Sequence, residues 1–191
     1  MQETYIENKT FVKEYFTANP FKRGEYENCI FNQCDLSNND LSECKFIDCE
    51  FNGCNLTLAK IDNAVFRDVK FRDCKMLGLR FDSCNEFGLS FSFEGCQLNQ
   101  SSFYKRNIRK TIFRNSQLQE TDFADCDLTA AVFENCDLKL AIFDNTILEK
   151  ADLATSHNFS IDPAMNKIRK AKFSIFGLPG LLGKYDIEIA E

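Results

Sequence analysis

Residues 118–153 decide how the chain is read: LQETD FADCD LTAAV FENCD LKLAI FDNTI LEKAD L. A large apolar residue returns every five positions, at Leu118, Phe123, Leu128, Phe133, Leu138, Phe143, Leu148 and Leu153. Two positions before each of these centres stands a small residue: Ser116, Thr121, Cys126, Ala131, Cys136, Ala141, Thr146 and Ala151. A period of five fits neither the 3.6 of a helix nor the 2 of a flat strand. Fixed-period self-similarity marks a repeat architecture, in which units bury their apolar faces by stacking on their neighbours.

The pattern extends toward the N-terminus in two registers. One runs from Phe21 through Tyr26, Phe31, Leu36, Leu41, Phe46, Phe51, Leu56, Ile61, Phe66, Phe71 and Met76 to Phe81. The other runs from Phe93 through Leu98, Phe103, Ile108 and Phe113 into the quoted stretch. All ten cysteines fall at the small position, Cys84 by carrying the first register one step further. They share it with Ala, Ser, Thr, Asn and Gly, which is the behaviour of a small buried hydrophobe. The single histidine, His157, supplies no paired ligand, so no metal site is expected. Disulfides are not expected in a reducing compartment.

The chain of 191 residues is 44% hydrophobic, enough for one core or a small solenoid. Its net charge of −6 argues against direct nucleic-acid binding, which needs a dominant basic surface. No run approaches the ~18 apolar residues of a membrane helix. The opening MQETYIENKTF lacks the basic and apolar regions of a secretory leader, so a cytoplasmic location is expected. There is no P-loop, GxSxG or HExxH, and the carboxylates are expected on an outer wall rather than in a cleft. An enzyme and a cofactor are therefore not expected.

The repeat resembles the pentapeptide-repeat family, whose motif is roughly A(D/N)LXX, over residues 21–153 and about 26 repeats. The resemblance implies an all-β fold, a right-handed quadrilateral β-helix with one pentapeptide per side and twenty residues per coil. The sequence supports that coil length independently, because positions twenty apart match in type. Tyr26, Phe46 and Phe66 form one such column, and Phe31, Phe51 and Phe71 another. Phe93, Phe113 and Phe133 form a third, and Phe103, Phe123 and Phe143 a fourth.

Four stretches depart from the pattern. Residues 1–20 read as a cap or an imperfect first coil, with Lys9 and Glu14 where small residues belong. Residues 82–92 insert two positions between Phe81 and Phe93 and read as a tolerated bulge or a partner-contacting loop. In 104–110, YKRNIRK, Arg106 falls at the small slot, and the side is expected to bulge and expose it. Beyond Leu153 the register weakens, His157 reads as structural, and Phe173 permits one more coil. The tail 174–191 is expected to form a short helix near 178–184, then a strand-like end covering the last coil.

Charge is banded along the chain. Residues 25–50 and 120–137 are strongly acidic, whereas 105–114 carry five basic residues and no acidic one. Acidic bands on such a rod either fill outward polar positions or imitate a phosphate backbone facing a basic groove. The register break, the SFEGCQL restart and the tail AKFSIFGLPGLLGKYDIEI resemble one branch of the family. That branch holds the quinolone-resistance (Qnr) proteins, the microcin B17 immunity protein and the albicidin-resistance protein. The resemblance implies a DNA mimic that binds DNA gyrase or topoisomerase IV, and a homodimer joined through its C-terminal elements. It makes Glu120, Asp122, Asp125, Asp127, Glu134 and Asp137 candidates for the partner contact. It makes Phe176, Leu178, Leu181, Leu182, Ile187 and Ile189 candidates for dimerisation. The competing class is a general interaction scaffold with another partner, which acidic bands broken by basic ones favour.

Overall fold

The computed structural model describes residues 4–16 and 21–189, so residues 1–3 and 17–20 of the expected cap and 190–191 of the tail lie outside it. The chain winds as a right-handed four-sided parallel β-solenoid. One side, called I here, stacks β1 (Thr4–Glu7), β3 (Gly24–Glu27), β5 (Lys45–Ile47) and β7 (Val65–Arg67). Side II stacks β2 (Thr10–Val12), β4 (Ile30–Asn32), β6 (Glu50–Asn52) and β8 (Val69–Arg72). It continues with β9 (Phe91–Glu94), β10 (Ile112–Arg114) and β11 (Val132–Glu134). Sides III and IV are joined by single parallel bridges such as Asp35↔Asn55 and Asp40↔Lys60. Partners lie twenty residues apart, and twenty-two across the break, as in Lys75↔Gln97 and Arg80↔Ser102.

The centres point inward and stack with like on like. Phe31, Phe51, Phe71, Phe93, Phe113 and Phe133 form one continuous ladder, with ring centroids 4.5–5.3 Å apart and planes within 18°. Phe81, Phe103, Phe123 and Phe143 form a second, and the two meet edge to face, as in Phe103–Phe113 at 85°. Both geometries suit the ring quadrupole. The ladders run unbroken through the register break, joining the two registers in one core.

Two local devices turn each corner. The residue two after a centre is left-handed at most corners, as at Asn28 (φ 50), Asp48 (φ 51) and Glu120 (φ 56). Among the described residues none of the left-handed ones is Val, Ile or Thr, since β-branching is hardest to fit at positive φ, and Thr155, two after Leu153, is not left-handed. The residue before a centre is often Asp, and its carboxylate accepts the N–H two residues on. Asp40 accepts from Ser42 at 3.0 Å, Asp122 from Ala124 at 2.9 Å and Asp127 from Thr129 at 2.9 Å. This Asx turn is the physical reason for the D/N of the motif.

The small slot does more than fill space. All ten cysteines are buried and free. Cys74 donates its Sγ–H to the Phe51 carbonyl at 3.3 Å, and Cys126 to that of Phe103 at 2.7 Å. Thr121 does the same to Leu98 at 3.1 Å and Ser156 to Phe133 at 2.8 Å. The slot thus selects a small side chain with a donor, and Ala omits the bond. Burial pushes the Cys49 and Cys126 thiols up to about 12 and Cys136 to about 11, which keeps them protonated and unreactive. Cys126→Ser is expected to leave the melting temperature within a few degrees. Cys126→Ala should cost about 1 kcal/mol or less, because the Phe103 carbonyl still accepts the Arg106 N–H at 2.9 Å. A collapse of the melting transition in either variant would contradict this account.

At the ends and the break the outcome is mixed. β1 and β2 pair in register with β3 and β4, Lys9 and Glu14 stay exposed, and the Lys9 ammonium lies 4.6 Å from the Phe11 centroid. Side I has no fully buried centre at the break, where the half-buried Leu89 packs on the core. Phe91, in a slot that elsewhere holds Cys49 or Val69, is buried and packs 5.2 Å from Phe81 and 5.0 Å from Phe93. Arg106 corrects the expectation of an exposed arginine on a bulged side. Its backbone keeps the regular bonds, and its side chain is only 18% exposed under the 85–89 loop, with Glu86 at 3.8 Å. The C-terminal coil forms, with Asp152↔Lys172 bridging and Phe159 and Ile161 buried.

The tail makes a 3-10 turn (Ile175–Gly177), a helix α1 (Pro179–Leu182) and a second 3-10 turn (Gly183–Tyr185). Pro179 starts the helix, where its missing N–H costs nothing. The expected strand-like end does not form: residues 186–189 are irregular and exposed. Ile161 already donates its N–H to the Gly180 carbonyl at 2.9 Å, so the turns rather than a strand engage the last coil.

Candidate partner-binding surface

The interior is filled by side chains from end to end, so any partner meets the outer wall. Among the described residues, no group of His, Cys, Asp or Glu is arranged to hold a metal ion. Among the same residues, no helix is long and apolar enough to cross a membrane.

Residues five apart in sequence lie on adjacent sides, and this spreads the six acidic candidates around the rod. Asp122 stands on side IV, Asp127 on side I, Glu134 on side II and Asp137 on side III. Glu120 and Asp125 occupy the left-handed corners before and after side IV. Asp122, Asp125 and Asp127 therefore share one edge, flanked by Glu120, while Glu134 and Asp137 face elsewhere. Several carboxylates are already engaged. Glu134 accepts from Arg114 at 2.8 Å, and Asp137 from Gln119 at 2.6 Å and Asn158 at 2.8 Å. Partial burial opposes the charge on Asp137, but these bonds outweigh it and hold its carboxyl below the usual range. Arg109 reaches Asp127 at 3.7 Å.

Cross-rung ion pairs trim the acidity elsewhere too. Glu50 accepts from Lys70 at 3.1 Å and from Arg72 at 2.9 Å. The Lys70 bond, with that of Arg72, holds the Glu50 carboxyl below its ordinary value against mild burial. A carboxyl depressed in the folded state stabilises above its unfolded pKa near 4.3, and this is lost as pH falls through the folded value. Glu50→Gln should cost about 0.5–1 kcal/mol at neutral pH and nothing at about pH 2, by denaturant titration at both pH values.

The six tail candidates divide as well. Phe176 is 94% exposed, and Leu178, Ile187 and Ile189 are exposed. Leu181 packs on the core instead, and Leu182 is half-buried. Ile175, 82% exposed, joins the apolar surface beyond the six candidates, and its signal in the sequence is that it continues the same apolar run.

The Pentapeptide repeat region family model matches residues 25–91 and 89–158. No curated protein matches the chain. Among solved structures, full-length QnrB1, a plasmid-mediated fluoroquinolone resistance protein, aligns at 19% identity with a TM-score of 0.52. The match covers 96% of this chain and 100% of that one. HetL, a pentapeptide repeat protein involved in heterocyst differentiation regulation from the cyanobacterium Nostoc sp. Strain PCC 7120, aligns at 13% identity. Its TM-score is 0.48, over 88% of this chain and 85% of that one. The family match over most of the chain, the period of five and the four-sided coil agree: this chain belongs to the pentapeptide-repeat family.

Proposed function

We propose that the chain is a non-enzymatic cytoplasmic rod that binds a type II topoisomerase, DNA gyrase or topoisomerase IV, and shields it from quinolones or toxins that poison it. The observation that carries this reading is the edge formed by Asp122, Asp125 and Asp127. There, carboxylates from successive pentapeptides stand outward on a rigid backbone, as phosphates do on a duplex. Fixed negative charge on a stiff rod suits a basic DNA-binding groove. The acidic branch of the family and the fold shared with QnrB1 point the same way. Residues 174–191 serve as a dimerisation segment in this proposal, with Phe176, Leu178, Ile187 and Ile189 supplying the apolar contact. A general scaffold is the second reading, favoured by the basic residues at 105–114 that interrupt the acidic wall.

The test is a gyrase supercoiling assay with and without a quinolone, across a titration of the protein. Protection, or inhibition at high protein concentration, supports the reading. Asp122→Asn/Asp125→Asn/Asp127→Asn should then lower the apparent affinity at least tenfold. Asn keeps the side-chain oxygen that holds the Asx turns while removing the charge. No effect of the native protein on either axis would move the assignment to a scaffold with a different partner.

A further inference from the structure

Side I carries a charge pattern that reverses along the rod. Below the break its rungs present Glu7, Glu25, Glu27, Asp48 and Asp68 against Lys45 and Arg67. Above the break they present Arg109, Lys110, Lys150, Lys167, Arg169 and Lys170 against Asp127 and Glu149. Among the described residues, Lys110, Lys150, Lys167, Arg169 and Lys170 make no ion pair. Between the two halves sits the 85–89 loop. It is pinned by Asn85 N–H to the Ala64 carbonyl and by Ser90 N–H to that of Phe66, both at 2.9 Å. At its tip Phe87 is 76% exposed.

We propose that side I is a self-complementary surface on which two copies of this chain pair antiparallel, with the twofold axis passing through the loop rung. That operation sets the Glu7 rung opposite the Lys170 rung, Glu27 opposite Lys150, and Asp68 opposite Lys110. It brings the two Phe87 rings together at the axis as an apolar anchor. A twofold contact requires one patch to complement itself, and a face acidic at one end and basic at the other does so in the antiparallel sense alone. The overall acidity of the chain favours a second copy over a nucleic acid as occupant of the basic half. The face is one pentapeptide wide and, at ~4.8 Å per rung, about 40 Å long. That is less area than a standard stable interface, so the pair is weak and dominated by salt-screened attraction.

The experiment is disulfide trapping of full-length Phe87→Cys, read on non-reducing gels beside sedimentation velocity. Native thiols are buried, so the parent chain is the blank. The variant should cross-link at about 50 mM NaCl and at least about tenfold more slowly at about 500 mM. Lys150→Glu/Lys170→Glu in that background should abolish cross-linking, as should Glu7→Lys/Glu27→Lys. Glu already stands at equivalent left-handed corners at 43 and 120, so the first reversal keeps the backbone. Mixing the two reversed proteins should restore cross-linking, because each half again meets its complement. No cross-link, cross-linking indifferent to salt and charge reversal, or a mixture that fails to restore it would each overturn the proposal, whereas a dimer in sedimentation without the cross-link would leave the tail as the dimer contact and side I unpaired.

Discussion

Phe113→Ala is expected to destabilise the rod by about 3–5 kcal/mol, measured from urea unfolding midpoints, the largest stability change foreseen for any single substitution. Phe113 is fully buried and touches aromatic rings on four sides. Phe93 and Phe133 stack on its two faces at 5.2 and 4.9 Å, and Phe103 and Phe123 meet it edge-on, both at 5.8 Å. The surroundings cannot collapse into the gap, because β10 is bonded to β9 below and β11 above, which fixes the rung spacing. The cavity term therefore adds to the lost transfer energy instead of relaxing away. Phe11→Ala at the N-terminal end should cost about half as much. Phe11 is buried but ends the ladder, with 9% of its surface exposed and a stacked ring on one face, Phe31 at 4.7 Å. Each coil contacts its neighbours alone, so the middle substitution should also raise amide exchange most in the rungs beside β10. A Phe113→Ala cost equal to that of Phe11→Ala would contradict the ladder account.

Much of this was legible in the sequence, because burial is periodic. The centres, the coil of twenty and the aromatic columns follow from spacing alone, since one side chain per pentapeptide must face inward. What escaped the sequence is what depends on which side a residue occupies. Asp122, Asp127, Glu134 and Asp137 look like one band in sequence, yet each stands on a different side. The same arithmetic that gave the coil would have separated them. The motif Asp was readable as charge, but its Asx bond to the backbone appears once the corner is formed, as for Asp122 with Ala124. The cysteines read as apolar filler, although Ser and Thr in the same slot already hinted at a donor. Arg106 and Phe91 escape the sequence for a common reason. The break leaves side I with the half-buried Leu89 in place of a fully buried centre, and the two large side chains lie beside it, one with Glu86 and one with Phe81. An inserted pair of residues in the sequence does not reveal which side of the coil it loosens.

Gly180→Val is expected to lift the tail from the last coil while leaving the rod folded. A Cβ at residue 180 would land on the Phe159 carbonyl oxygen and lie 2.8 Å from the Phe159 ring at Cδ2, so backbone must shift. The docking bond at risk is the Ile161 N–H to the Gly180 carbonyl, and Lys184 would leave Asp162, which it now reaches at 2.6 Å. Overpacking of this kind costs about 1–3 kcal/mol, and the affected segment is short enough to release that strain by undocking. Amide exchange of residues 161 and 177–185 should accelerate by one to two orders of magnitude, with the β9–β11 amides unchanged, since solenoid stability is carried between neighbouring coils. The proposed tail dimer should weaken in parallel. The turns that hold Phe176 and Leu178 in place on one surface would no longer be fixed relative to the rod, and ordering them on association would add an entropic cost. Gly183→Ala is the matched control, because a Cβ there meets no atom closer than Ser160 Oγ at 3.9 Å. Equal exchange rates in the two variants would mean that contact with Phe159 does not anchor the tail, and that the dimerisation segment must be held by the partner chain instead.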